Sequence, residues 1–181
     1  MEKKTHFSEV KRSGSIDYML RTAQQHHAQL SMMADNKANI MVATNTVLIT
    51  LVMSRFDFSE PIWALVSLLI TSFFALVAAI VAVYPFNQRG MAKPKAIKTE
   101  NPLFFGTFSR YQYDDFAEKM ADMMQQDDSI YEALVNDLYQ LGVYVKETKY
   151  KYIRISYQIF FLGLFVSLVL FLIQLSDLVN R

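Results

Sequence analysis

The sequence predicts an all-α integral membrane protein with three transmembrane helices and a helical cytoplasmic module, in which a long helix continues into the third span. Only 19% of the 181 residues are charged, and two stretches, 62–84 and 155–176, contain no charged residue. Each is as long as the ~20 apolar residues that a helix needs to cross a bilayer core. No stretch alternates apolar and polar residues convincingly, so a β domain is not predicted.

The three predicted spans differ in how strongly the sequence marks them. The second, 61–86, follows a helix-start pattern at Ser59-Glu60-Pro61, and the third, 152–178, is rich in Phe, Leu, Ile and Val. The first, 38–53, is short and contains several Asn and Thr residues. A soluble amphipathic helix is the alternative for it. We favour a span because its apolar part is uncharged and a short link leads directly into the second span.

Lysine and arginine collect on one side of these spans and so orient the chain. They are frequent beside the spans in 1–37 and 87–151, whereas the link 54–60 holds one basic residue and two acids. We expect no signal peptide, because the first 35 residues lack an apolar core. The predicted segments are, in order, the cytoplasmic N-terminal helix 1–37, the transmembrane hairpin 38–86 (spans 38–53 and 61–86), the cytoplasmic linker and helical module 87–151, the third transmembrane helix 152–178 and the periplasmic tail 179–181.

Capping patterns and apolar rows predict the cytoplasmic helices. Ser109 with Gln112, and Ser129 with Glu132, have the spacing of capping boxes, which predicts a helix start at each serine. The second helix meets no proline, so we expect it to run unbroken over about 130–175, ~70 Å. A row with steps of four and three residues predicts that the N-terminal helix packs against another helix: Ile16, Leu20, Ala23, His27, Leu30 and Ala34.

The sequence has no marker of catalysis or of metal binding. It lacks cysteine, a glycine-rich phosphate loop and a nucleophile elbow, and its three histidines are not spaced as ligands. The carboxylates Asp114, Glu118 and Asp122 form a single helical row, which favours a solvated face over a cation site. We therefore expect no enzyme, no catalytic residue, no metal and no cofactor. A net charge of +1 gives no field that would attract a nucleic acid polymer.

Polar residues at the first span predict a gate or coupling element between the cytoplasmic module and the membrane. These are Asp35, Lys37, Asn39 and Asn45. The alternative is an ordinary interfacial pair of Asp35 and Lys37, with the lysine extended towards the headgroups. Arg154, at the start of the third span, is either an interfacial anchor or a partner for Asp35. For the Asn and Thr residues inside the span, hydrogen bonding between helices is favoured over lining a pore.

Short segments along most of the chain resemble one family, the transmembrane effectors of bacterial Pycsar-type antiphage systems. The segments include ADNKANIM at 34–41, NPLFFG at 101–106, DLYQLG at 137–142, Lys149-Tyr150 and residues 154–163, with Tyr84-Pro85 closing the second span. The resemblance implies that a partner pyrimidine cyclase makes cyclic CMP or cyclic UMP on infection. It also implies that the effector then impairs the inner membrane, so that infection is abortive.

A cyclic nucleotide needs a cation for its phosphate and an aromatic surface for its base. Residues of both kinds lie close together in sequence and are the candidate ligand-binding set: Arg89, Lys93, Lys95, Lys98, Phe104, Phe105, Arg110 and Tyr111. The lysines are also explained by topology and anionic lipid. The two phenylalanines are also explained by insertion among the cytoplasmic helices or into the headgroup layer.

The function predicted from these features is a membrane-disrupting defence effector that is switched by a cyclic pyrimidine mononucleotide. We expect a homo-oligomer in contact with lipid in the inner membrane, because three spans cannot enclose a pore alone. The first alternative is a membrane-anchored helical interaction module that holds a cytoplasmic partner and has no channel activity. The second alternative is a small channel that opens without a ligand.

Overall fold

The computed structural model describes residues 7, 10–11, 13–55, 63–84 and 101–179, and all regular secondary structure in these ranges is helical. The elements are α1 Gly14–Ser54, α2 Trp63–Val83, α3 Phe105–Phe108, α4 Tyr113–Met123, α5 Asp127–Tyr144, a π-helix Val145–Tyr150 and α6 Lys151–Val179. Three helical stretches are long and apolar enough to cross a membrane: Gly14–Ser54, Trp63–Val83 and Asp127–Asp177. The predicted all-α class with three spans is confirmed.

The chain divides into two compact units, each built from two stretches of sequence. Unit 1 comprises Met1–Ser31 and Phe86–Glu147, and unit 2 comprises Met32–Pro85 and Thr148–Arg181. The first helix and the stretch from α5 to α6 each contribute residues to both units. The apolar spans belong to unit 2, and the polar helices α4 and α5 belong to unit 1.

Close packing of α2 against α6 forms most of unit 2. Ser156 of α6 donates a hydrogen bond to the carbonyl of Ala75 at 2.7 Å, and Ser167 donates to the carbonyl of Ala64 at 2.9 Å. From the first bond to the second, the residue number rises along α6 and falls along α2, so the two helices are antiparallel. Gly163 lies between these bonds, directly against the side chain of Thr71. Small residues on both helices allow the backbones to approach within hydrogen-bonding distance of serine side chains.

The other helix of unit 2 is the second half of α1, which packs through a row of small residues. Ala34 and Ala38 are fully buried and form a core with Ala82 of α2 and Ile153 of α6. The row continues along the same face of α1 to Asn45, which is also fully buried. This face of the helix is therefore sealed inside the unit.

Unit 1 is held by polar contacts between the first half of α1 and α5. The hydroxyl of Tyr131 donates to Asp17 at 3.0 Å, and the amide of Gln24 donates to the carboxylate of Asp137 at 2.9 Å. From the first contact to the second, the residue number rises along both helices, so α1 and α5 run parallel. Burial raises the pKa of the Tyr131 hydroxyl, and the neighbouring Asp17 carboxylate raises it further.

The segment before α4 is anchored on α5. Asn101 is 2% exposed, and its amide donates to the carbonyl of Ala133 at 2.8 Å while its side-chain oxygen accepts the backbone N–H of Leu103 at 3.0 Å. Phe104 is buried and its ring contacts Tyr144 edge to face, with 6.4 Å between the centroids. The structure thus inserts Phe104 among the helices of unit 1.

Both helix starts predicted from capping boxes are wrong. Ser109 caps the C-terminus of the short helix α3, and α4 begins at Tyr113 after Gln112. The turn fixed by Asn101 starts α3 earlier than the serine pattern predicts. Helix α5 begins at Asp127, two residues before Ser129, because aspartates are favourable in the first turn, where the helix dipole is positive.

The helical path predicted for about 130–175 is present from Asp127 to Val179, with one irregularity that the sequence did not predict. Residues Val145–Tyr150 form a π-helix. A π-helix has an i to i+5 hydrogen-bond pattern, is rare, and is frequent at functional sites. The irregularity falls where the chain passes from unit 1 to unit 2.

Candidate juxtamembrane coupling site

An ion pair joins α1 to the π-helix within unit 2. The ammonium of Lys149 donates to both carboxylate oxygens of Asp35, each at 2.7 Å. The lysine side chain is 16% exposed and the aspartate side chain is 39% exposed. The pair is thus more shielded from water than an ordinary surface salt bridge, whose contribution to stability is small.

A second contact joins the same two elements. The ammonium of Lys37 lies 5.7 Å from the ring centroid of Tyr150, within the range of a cation–π interaction. Tyr150 also packs against the small-residue core of unit 2. Two residues of α1, at 35 and 37, thus contact two consecutive residues of the π-helix. We call these four residues, Asp35, Lys37, Lys149 and Tyr150, the juxtamembrane cluster.

The predicted gate residues do not form a single group. Asp35 and Lys37 belong to the juxtamembrane cluster, whereas Asn39 is exposed and Asn45 is fully buried. The Asn45 amide donates to the carbonyl of Met41 at 2.8 Å, and its buried side-chain oxygen accepts no hydrogen bond within the part of the chain that the structure describes. The partner of Asp35 is Lys149, whereas Arg154 is exposed.

The two π-helix members of the cluster, Lys149 and Tyr150, are not among the site residues predicted from the sequence. Asp35 and Lys149 are 114 residues apart, so no local spacing rule connects them. The available signal was weak: both residues lie in segments on which the resemblance rests, 34–41 and 149–150. Only the parallel alignment of α1 with the α5–α6 stretch brings them together.

The candidate ligand-binding residues are described only in part. Arg89, Lys93, Lys95, Lys98 and the side chain of Phe105 lie outside the described residues. Arg110 and Tyr111 lie in the turn between α3 and α4, where the ammonium of Lys119 is 5.3 Å from the Tyr111 ring centroid. Phe104 is 7% exposed, so its ring has no open face on which a base could stack. The ligand-binding role of this set stays a prediction.

A second polar group lies inside unit 1. The His27 ring lies against Gly142, where an added Cβ would be 3.2 Å from the ring, and the buried Nδ1 atom of His27 has no hydrogen-bond partner among the described residues. Burial raises the pKa of Asp137, and the Gln24 hydrogen bond and the nearby His27 oppose that rise. In the part of the chain that the structure describes, no group of three His, Cys, Asp or Glu residues is arranged to hold a metal ion.

The raised pKa of Asp137 predicts a pH-dependent stability. The folded chain holds this proton more tightly than the unfolded chain, whose value is near 3.8, so the free energy of unfolding falls as pH rises through the folded pKa. Asp137→Asn keeps an oxygen acceptor for Gln24 and removes this titration. We expect the melting temperature of Asp137→Asn to rise relative to that of the wild type as the pH increases above the unfolded-state pKa, near 3.8.

The control for this experiment is Asp114→Asn, which neutralises an exposed carboxyl on α4. Its melting temperature should stay parallel to that of the wild type over the same pH range. A constant difference between Asp137→Asn and the wild type would contradict the prediction.

The fold and the site define a class: a helical membrane protein in which the same helices build both a polar unit and a set of three spans. A family model described as the Pycsar effector protein domain matches residues 18–175, which takes in nearly all of α1 and most of α6. The chain belongs to the Pycsar effector family and is an antiphage defence effector. Comparisons with curated proteins and with solved structures find no match.

Proposed function

We propose that this effector resides in the bacterial inner membrane and is activated by cyclic CMP or cyclic UMP, the product of a partner pyrimidine cyclase. Activation impairs membrane integrity, and the infected cell dies before phage matures. The observation that carries this proposal is the family match over residues 18–175. It is supported by the three candidate spans, which make the membrane the natural target of the effector.

The proposed mechanism is a shift between two conformations of one chain. A ligand shifts such an equilibrium only through a difference in its affinity for the two states. Helix α1 and the α5–α6 stretch each contribute to both units, so a change in unit 1 has a continuous covalent path to the spans. The juxtamembrane cluster lies on both paths, and we assign it the coupling role. The N-terminus is cytoplasmic and the C-terminus periplasmic in this proposal, and no step is enzymatic.

Ligand binding is tested by melting the detergent-purified chain with cyclic CMP, cyclic UMP, cyclic AMP and cyclic GMP in turn. A ligand that binds only the native state at ~100 times its Kd stabilises the native state by ~2.7 kcal/mol. We expect a rise in melting temperature with one pyrimidine nucleotide and none with the purines. If the protein melts cooperatively and its melting temperature responds to none of the four nucleotides, the nucleotide is bound by another protein and the proposed direct activation is wrong.

Membrane damage is tested separately, with the chain reconstituted in dye-loaded vesicles of bacterial inner-membrane lipid. We expect dye release on addition of the nucleotide that raises the melting temperature, and none with linear CMP or UMP or from protein-free vesicles. Binding without release would contradict the membrane-damage step alone and would favour the interaction module. Release without any nucleotide would favour the constitutive channel.

A further inference from the structure

The outward face of α1 in unit 2 differs from the outward faces of α2 and α6. On α2 the exposed residues are bulky and apolar, such as Phe74 at 56% exposure, and so are most of those on α6, such as Phe165 at 66%. Such surfaces suit contact with lipid tails. Helix α1 also exposes apolar side chains, such as Ile40 and Val47, but it carries in addition a row of exposed polar or small residues at steps of three, four, three and four: Asn36, Asn39, Ala43, Thr46 and Thr50. We call these five residues the outer row.

The outer row lies opposite the buried face of α1. Ala38 and Asn45, which are fully buried, are half a helical turn away from Ala43, at ~100° per residue. The outer row therefore makes no part of the packing within the unit. Its first and last residues are 14 positions apart, which corresponds to ~21 Å along the helix axis, most of the thickness of a bilayer core. It contains no charged residue.

Hydrogen bonding within the row is incomplete. Thr46 donates to the carbonyl of Val42 at 2.8 Å and Thr50 donates to the carbonyl of Thr46 at 2.9 Å, so these hydroxyls tolerate an apolar environment. Asn39 is exposed, and its amide makes no side-chain hydrogen bond within the described residues. An amide that faces lipid without a partner costs free energy, whereas one at a helix–helix contact gains a partner.

We propose that the outer row of α1 is the contact face between copies of this chain in the membrane. Copies inserted in the same orientation present the row at the same depth, so Asn39 meets Asn39 and Thr46 meets Thr46. An amide is both donor and acceptor, so it pairs with its own copy, and an uncharged row produces no repulsion. A repeat of three and four residues is also the spacing of parallel helices that pack along a seam. The contact face itself does not depend on the proposed function; only the effect of the assembled copies on the membrane rests on it.

The absence of cysteine from the sequence makes disulfide cross-linking a clean test. Single-cysteine variants Ala43→Cys and Thr50→Cys of the full chain, in native membranes, are oxidised and separated without reductant. We expect covalent dimers from both. The controls are other exposed sites: Leu51→Cys on the flank of α1, Phe74→Cys on α2 and Phe165→Cys on α6. These should remain monomeric.

Dimers from all five variants would indicate random collision and would overturn the proposal, and so would dimers from none. A second measurement covers the contribution of Asn39. We expect Asn39→Leu to weaken association in micelles, measured by energy transfer between labelled copies, by about three- to thirtyfold, while Ile40→Leu leaves it unchanged. Neither readout needs nucleotide or leakage, so cross-linking without dye release would contradict the proposed function and leave this inference intact.

Discussion

Gly163→Ala is expected to melt well below the wild type, because the α2–α6 pair has no room for the added methyl group. A Cβ on Gly163 would overlap the Oγ1 and Cβ atoms of Thr71. The Thr71 side chain cannot swing away freely, since its hydroxyl donates to the carbonyl of Ser67 at 2.8 Å. The helices must separate, which lengthens the hydrogen bonds of Ser156 and Ser167 to α2. Overpacking of this kind costs ~1–3 kcal/mol, to which the weakened hydrogen bonds add.

The measurement is thermal unfolding of the detergent-purified chain, with Gly14→Ala as the matched control. A Cβ on Gly14 meets no atom within 4 Å, so the control should melt at or slightly above the wild-type temperature. The double variant Thr71→Gly/Gly163→Ala moves the small residue to the facing helix and should recover part of the loss. Equal melting temperatures for Gly163→Ala and the wild type would show that the two helices are not closely packed at this point.

The second large effect is expected from Asp35→Asn. The substitution removes the carboxylate that accepts two hydrogen bonds from Lys149, whose side chain is only 16% exposed. Leaving a shielded ammonium without its countercharge costs ~1–3 kcal/mol, reduced here because Asp35 itself is 39% exposed. We expect a lower melting temperature and, if the cluster couples the two units, an altered nucleotide dependence of dye release.

A neighbouring ion pair supplies the control. Lys146 and Glu147, also in the π-helix, are 3.8 Å apart with side chains 81% and 48% exposed. Glu147→Gln should change stability by less than ~0.5 kcal/mol, as exposed pairs do. The reversed pair Asp35→Lys/Lys149→Asp should recover part of the loss caused by Asp35→Asn. If Asp35→Asn and Glu147→Gln lower the melting temperature equally, the Asp35–Lys149 pair contributes no more to stability than an exposed ion pair.

The spans were predictable because a bilayer imposes a simple rule on composition, which 62–84 and 155–176 satisfy. Helix starts were less predictable. The serine patterns at Ser109 and Ser129 match a capping box, but the turn fixed by Asn101 and the aspartates before Ser129 decide where those helices begin. A local pattern fails where a tertiary contact or a competing charge acts on the same residues.

The candidate site was predictable on one side only. Asp35 and Lys37 are conspicuous as charges at the mouth of a span, whereas Lys149 and Tyr150 resemble ordinary residues that precede one. Their pairing depends on how two helices align, which no spacing within either helix specifies. The same reason separates Asn39 from Asn45. Which polar residue is buried depends on the face that α1 presents to its neighbours.

The π-helix also changes the heptad spacing of inward-facing residues along one continuous helix. Before it, Tyr131 and Val145 are buried two heptads apart; after it, Ile153 and Ser167 are again two heptads apart on the inner side of α6. The step from Val145 to Ile153 is eight residues, where a heptad would give seven. In an unbroken α-helix the extra residue would turn the whole inner seam of α6 by ~100°. The wider π-turn absorbs it. The π-helix is thus the point in one continuous helix at which the heptad spacing shifts by one residue.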